Sequence, residues 1–281
     1  MIGAEIGDTS LLVLGVTLIV IGGFAGIIGG MFGIGGGVVI VPTLFALFGA
    51  LGAPDAVRMH VAIGTSLATI LVTSLRSVIA HAERGAVDFQ LLRQWAPLIA
   101  LGAVVGAALA RVISGEALTL IFAMGAMGVA VKMALSPNQD MSGGAAEKHI
   151  PPVVRAPLSF GIGAVSALMG IGGGIMGVMV LTMAGRTIRK AVATAAGFGV
   201  AIAVPGALGF IVAGWGAEGL PWGSLGYVNL IAFAIISVMT FLTAPTGVKI
   251  AHSVSMGLLS RSFAIYLALT SLLLFRKIFG F

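Results

Sequence analysis

Two stretches of the chain combine residue types suited to holding an anion. Gly33, Gly35, Gly36 and Gly37 stand in the GIGGG of GGMFGIGGG. Gly170, Gly172, Gly173 and Gly174 repeat the same five letters in LMGIGGGIM, 137 positions later. A helix that begins just after such a run has unpaired N–H groups in its first turn. It also carries about half a positive charge there from its aligned peptide dipoles. Glycine lets an anion reach this backbone without obstruction by a side chain. Thr65 and Ser66 in AIGTSLAT, and Thr194 in AVATAAGF, offer hydroxyl donors near the starts of the spans that follow. Arg76 and Arg261 lie inside apolar stretches. An ionisable residue in such a place is costly and marks a functional candidate, here for drawing anions towards the site.

Each of these residues also has a plainer explanation. Glycines let membrane helices pack closely. Hydroxyls commonly bond back to their own helix. Arginines near a span end snorkel to the interface. His60, His81 and His252 sit near span ends, where they are suited either to carrying protons or simply to the interface. Against packing as the whole account stands the pattern itself. Packing glycines recur four apart, whereas these are triple and interrupt apolar spans.

Other chemistries find little support. The glycine run fails the G-x-G-x-x-G spacing, since Val38 stands at its last position, and no βαβ pattern precedes it. There is no P-loop and no zinc-ligand spacing. No serine has a recognisable base and stabilising shell. With no cysteine, thiolate chemistry and disulfides do not arise. No enzyme activity and no cofactor are therefore expected, and no metal site.

The elements that must position these residues are membrane spans. Hydrophobic residues make up 59% of the 281 and charged residues only 9%, against about 25% charged in soluble domains. The mean hydropathy is +1.16. The net charge of +6 is scattered between apolar segments without a basic stripe, which argues against nucleic acid. The amino-terminal MIGAEIGDTS has acids and no basic residue, unlike a secretory signal, so the first span is expected to be retained. Apolar segments fall at Ser10–Phe32, Val38–Leu51, Val61–Ala80, Trp95–Ile113, Ala117–Leu135, Pro157–Met169, Ile175–Ala184, Ala191–Ala213, Leu225–Pro245 and Met256–Phe275. Trp95, Trp215, Trp222 and Tyr227 fit interfacial belts, and Pro205 marks a kink.

A crossing needs about 20 residues, so the segment after each GIGGG is short. Each glycine run is then either a break within one crossing helix or the tip of a re-entrant hairpin. Basic residues concentrate on the cytoplasmic side. The hairpin arrangement puts eleven of the fifteen on one side and four on the other, whereas the broken crossing divides them eight and seven. The hairpin is therefore expected, with both termini outside the cytoplasm, in the periplasm where there is one.

The halves also align beyond the glycines, HVAIGTSLAT from His60 with RKAVATAAGF from Arg189, pairing Thr65 with Thr194. Between them runs the one long polar Pro/Gly stretch, Ser136–Ala156. The expected division is a first repeat over 1–135, a linker over 136–156 and a second repeat over 157–281. The expected fold is an all-α polytopic membrane protein. It comprises two inverted repeats, each a re-entrant or broken-helix hairpin plus three transmembrane helices, because an odd number of crossings turns the second half over. Inverted repeats with broken helices meeting near the midplane occur in secondary transporters.

GMFGIGGGVVIVP (Gly30–Pro42), AIGTSLAT (Ala62–Thr69) and the second MGIGGG (Met169–Gly174) resemble the sulfite exporter TauE/SafE family, also called the 4-toluene sulfonate uptake permease family. The resemblance covers essentially the whole chain. It implies a multi-pass transporter of the bacterial inner membrane for sulfur-containing anions such as sulfite, sulfoacetate or other organosulfonates, without fixing direction. The second half departs from the pattern, with Met179 in place of Pro42 and Ala195 in place of Ser66. The expected partners are a small anionic solute and the lipid bilayer, with self-association open. The alternatives are a cation-coupled or cation carrier using opened carbonyls, and an accessory membrane subunit that transports nothing.

Overall fold

Each of the ten apolar segments becomes a helix in the computed structural model, which describes residues 8–33, 35–135, 150–253 and 256–280. The first five are α1 (Asp8–Phe32), α2 (Gly37–Ala50), α3 (Asp55–Ala82), α4 (Phe89–Leu109) and α5 (Gly115–Leu135). The second five are α6 (Pro152–Met169), α7 (Gly174–Met183), α8 (Ile188–Ala213), α9 (Leu230–Ser253) and α10 (Met256–Phe279). A hairpin of β1 (Ser224–Leu225) and β2 (Val228–Asn229) precedes α9. Most of the expected linker, 136–149, and the side chain of His252 lie outside the described residues.

Several helices start earlier than their apolar runs. α3 begins at Asp55 rather than Val61, α4 at Phe89 rather than Trp95, and α6 at Pro152 rather than Pro157. Their polar first turns extend past the apolar stretch and are fixed by local signals. Asp88 Oδ1 accepts the Leu91 N–H at 2.9 Å, a side-chain cap. Pro152 opens α6, where its missing N–H is no loss. Leu225 belongs to the hairpin, so α9 starts later and runs through Pro245 to Ser253.

Among the described residues, eight helices are long and apolar enough to cross a membrane: α1, α3, α4, α5, α6, α8, α9 and α10. α2 and α7, at 14 and 10 residues, span only about 21 Å and 15 Å. Large apolar side chains such as Val104, Leu208, Phe241 and Leu273 are exposed, as a lipid-facing surface requires. The chain is thus a multi-pass, all-α membrane protein.

α3 and α8 form the centre, packed on each other, with α2 lying on α3 and α7 on α8. Around them α1 packs on α9, α4 on α6 and α8, and α5 on α10. Small residues set these approaches. A methyl group added at Gly26 of α1 would strike Thr240 of α9, and one at Gly163 of α6 would strike Ile99 of α4. Gly247 meets Ile27 just as Gly106 meets Ala164. The α1–α9 and α4–α6 contacts are thus made by glycines in the same manner.

Candidate functional site

At each glycine run the chain turns back on the helix it has just left. Gly33, Gly35 and Gly36 have φ of 66°, 70° and 77°, and Gly170 and Gly173 have 64° and 65°. This left-handed region is open to glycine at little cost. The reversal lays Gly36 against Ala25 and Gly29 of α1, and Gly173 beside Ile162 and Ser166 of α6. Gly36 and Gly173 are the N-cap residues of α2 and α7, and neither helix has a side-chain cap. The Val39 N–H is taken by the Gly36 carbonyl at 2.9 Å and the Gly173 N–H by that of Ile171 at 2.8 Å, whereas the N–H groups of Gly37 and Val38, and of Gly174 and Ile175, come before the helical ladder begins. Gly172 and Gly174 complete the second tip and Gly37 is the first residue of α2.

The two tips touch. A methyl at Gly37 would overlap the carbonyl oxygen of Gly170 and lie 3.1 Å from the Ile171 Cα. Gly33 rests on the backbone of Val192 in α8, and Gly170 rests on Ile63 in α3. Each tip thus leans on the central helix of the other half.

The predicted hydroxyls are all buried here, and none bonds back to its own helix. Ser66 Oγ donates to the Gly170 carbonyl at 2.8 Å. Thr65 Oγ1 accepts the Asn229 N–H at 2.8 Å, and Thr194 Oγ1 accepts the Asp88 N–H at 3.0 Å. Asn229 and Asp88 cap α9 and α4 in turn, through Ala232 N–H and Leu91 N–H, both at 2.9 Å. Thr65 and Thr194 therefore hold equivalent helix starts in opposite halves, as their sequence alignment implies. Thr69 and Thr73 show the commoner arrangement, donating to the Thr65 and Thr69 carbonyls.

Two further hydroxyls border the tips. Ser74 Oγ lies between Gly35 and Gly199, and Gly199 in turn packs against the Gly172 carbonyl oxygen. Ser166 Oγ lies beside Gly173. Both are buried without a hydrogen-bond partner among the described residues. Ser77, Ser159, Ser237 and Ser271 are in the same state, so position beside the tips is what distinguishes Ser74 and Ser166. In sequence they look like any serine in an apolar helix. Ser166 carried one signal, standing four residues before Gly170.

The arginines are not at the tips. Arg76 places its guanidinium 5.1 Å from the centre of the Phe241 ring of α9, a cation–π contact. It lies two residues past Ser74, about 200° further round the helix. Arg261 is exposed on α10. His60 is a clamp: Nδ1 meets the Ala56 carbonyl at 3.1 Å, and Nε2 meets those of Ala110 and Ile113 at 3.0 and 3.1 Å. His81 is buried in the last turn of α3. Trp95 is only 2% exposed and stacks on Phe198, so it packs the interior, whereas Trp215 and Trp222 are exposed. Tyr227 lies against His60, ring centres 4.7 Å apart. Burial raises its phenol pKa, with Arg111 pulling the other way. Among the described residues no three His, Asp or Glu side chains converge on a metal-sized site.

The sulfite exporter TauE/SafE family model matches residues 18–274. A probable membrane transporter protein of Haemophilus influenzae is 34% identical over 240 residues, covering 85% of this chain and 90% of its own. A probable membrane transporter protein of Methanocaldococcus jannaschii is 29% identical over 224 residues, covering 77% and 79%. No solved structure matches the chain. With the match running from α1 to α10, across both glycine tips, the chain belongs to the sulfite exporter TauE/SafE family of membrane proteins.

Proposed function

We propose that the protein is a secondary transporter of small sulfur-containing anions, such as sulfite, sulfoacetate or other organosulfonates, in the bacterial inner membrane. The observation that carries this reading is the contact between the two glycine tips, Gly37 against Gly170 and Ile171, each tip leading into a helix N-terminus that has no side-chain cap, at Gly36 and Gly173. Each contributes about half a positive charge and a fan of N–H donors, in a buried place where such dipoles act strongly. A tetrahedral sulfonate or sulfite presents three oxygens to such donors. Gly33, Gly35, Gly36 and Gly37 with Gly170, Gly172, Gly173 and Gly174 supply the backbone, and Ser74 and Ser166 supply hydroxyl groups with no partner among the described residues. Thr65, Ser66 and Thr194 shape the site from behind, through the bonds that lock each tip or helix start. Arg261 acts earlier, steering anions from the cytoplasmic side, while Arg76, stacked on Phe241, adds to the field.

The tips are in contact, so an anion enters only when they part. That movement is natural if residues 1–135 and 157–281 are inverted repeats, each a hairpin with three crossing helices, rocking about α3 and α8. The matched contacts support this arrangement: Gly33 on Val192 with Gly170 on Ile63, and Thr65 to Asn229 with Thr194 to Asp88. The excess of basic residues on one side favours both termini in the periplasm.

The test is calorimetric binding of sulfoacetate to detergent-purified protein, with acetate and sulfate as controls, followed by flux in liposomes. Selective, saturable sulfoacetate binding that weakens in Ser74→Ala and Ser166→Ala supports the reading. Na⁺-dependent flux without anion binding points instead to a cation carrier. Gly36→Val is a poor probe, since a side chain there would press on the Ala25 carbonyl at 2.5 Å with φ at 77°.

A further inference from the structure

A cavity of about 240 Å³ opens between the first turns of α4 and α6 and the end of α7, away from the glycine tips. Its wall is polar. Asp88, Gln90 and Gln94 come from the start of α4, Arg155 from α6 and Arg186 from just beyond α7, with Trp95 behind them. Arg186 Nη1 lies 3.1 Å from Asp88 Oδ2. Arg155 Nη1 donates to Gln94 Oε1 at 2.6 Å. Among the described residues, two guanidinium groups thus border a partly enclosed space with one carboxylate, and Arg155 faces a neutral amide. Planar guanidinium groups match oxyanions through paired N–H donors.

The correspondence between the halves supplies an independent observation. Asp88 matches Asn229, each capping its helix three residues on. Counted from these caps, Gln90 and Gln94 correspond to Ile231 and Ile235. Counted from the glycine tips, Arg155 and Arg186 correspond to Leu18 and Gly49. Arg58 reaches Gly49 from α3, but its guanidinium is taken up by the Ala53 carbonyl, Asp55 and the face of Phe45. Helix packing therefore does not require Gln90, Gln94 and Arg155 to be polar, since the matching positions in the other half are Ile231, Ile235 and Leu18.

We infer that this cavity is a separate oxyanion site, an antechamber in which a sulfonate-bearing anion takes the place of the Asp88 carboxylate at Arg186 and gains Arg155 as a second partner. The ligand class rests on the anion-transporter reading above. The location favours it, because Arg155 and Arg186 belong to the side on which basic residues concentrate. The site also has a route to the tips. Asp88 N–H is held by Thr194 of α8, and Gly199 of the same helix packs on Gly172. Displacing Asp88 from Arg186 loosens the start of α4 where α8 grips it.

Trp95 makes the cavity observable. Replacing the exposed Trp215 and Trp222 with Phe leaves it as the sole indole of the three. This protein, purified in detergent, is titrated with sulfoacetate and with acetate as control, reading Trp95 fluorescence alongside calorimetry. A saturable Trp95 response is expected, weakened about tenfold or more by Arg155→Gln, in line with loss of a charged hydrogen bond. Arg155→Gln with Arg186→Gln is expected to abolish it. Ser74→Ala should weaken the calorimetric tip signal and leave the Trp95 response in place. Calorimetric binding with a silent Trp95, or a response unchanged in Arg155→Gln, overturns the antechamber and leaves the tip site standing. No binding by either readout in folded protein overturns both. If the double variant does not fold, Arg155→Gln decides alone, since among the described residues Arg155 bonds Gln94, at the protein surface.

Discussion

Gly37→Ala tests whether contact between the tips matters to transport. Gly37 is the first residue of α2 and has no positive φ, so its backbone accepts alanine, and the helix gains up to about 1 kcal/mol. The added methyl would overlap the Gly170 carbonyl oxygen and stand 2.8 Å from Ile70 Cδ1 and 3.1 Å from the Ile171 Cα. The Ile70 side chain can rotate away, but the two backbone atoms cannot. Reaching ordinary van der Waals contact moves the tips apart by about 1 Å. Overpacking of this kind costs about 1–3 kcal/mol, so the net loss of stability is about 0–2 kcal/mol, small enough for the protein to fold. Function is more sensitive, because a displacement of about 1 Å between binding groups commonly costs on the order of 100-fold. The assay is initial uptake of labelled sulfoacetate into proteoliposomes, with thermal unfolding in detergent to follow stability. Gly161→Ala is the control, since a methyl there meets nothing within 4 Å. The expected result is a large loss of flux in Gly37→Ala and none in Gly161→Ala. Near wild-type flux in Gly37→Ala would refute the idea that the closed tips form the transport site.

Three further outcomes follow from the same geometry. Ser66→Ala leaves the buried Gly170 carbonyl without its donor and should lower stability by about 1–3 kcal/mol, read as a lower thermal midpoint. Ser74→Ala and Ser166→Ala break no hydrogen bond, so their midpoints should hold while sulfoacetate affinity falls about 3- to 10-fold; unchanged affinity in both would remove them from the site. Arg261→Gln, at an exposed position, should slow uptake at low ionic strength, with the difference fading by about 0.15 M salt as screening sets in.

The helices were largely legible because membrane spans announce themselves by apolar length, and the glycine runs mark where two are interrupted. Helix ends were less so. Asp55–His60 and Phe89–Gln94 are helical yet polar, and a count of apolar residues stops short of them. The glycine tips could be recognised as helix starts, but not as a pair in contact, since Gly37 and Gly170 are far apart in the chain. The same distance hid the partners of Thr65 and Thr194, which lie 164 and 106 residues away. Arg76 was a candidate for drawing anions because it stands inside an apolar stretch. Only the helical phase relative to Ser74 reveals that it faces Phe241 instead. The Arg155–Arg186 cavity draws on three elements and left no local pattern to read.

The exchange of helix caps has a consequence for how such a chain is put together. Thr65 of the first half satisfies Asn229 of the second, and Thr194 of the second satisfies Asp88 of the first. Reciprocity of this kind is what a two-fold dimer of identical subunits has at its isologous interface, where residue i meets j and j meets i. Separating the halves would leave the Asn229 and Asp88 N–H groups without these partners, at about 1–3 kcal/mol for the buried one. Cutting the chain within 136–149 would then lower the effective concentration of one half for the other. Two polypeptides cut there and made together would be expected to assemble into the same ten-helix body, whereas either one alone would be degraded.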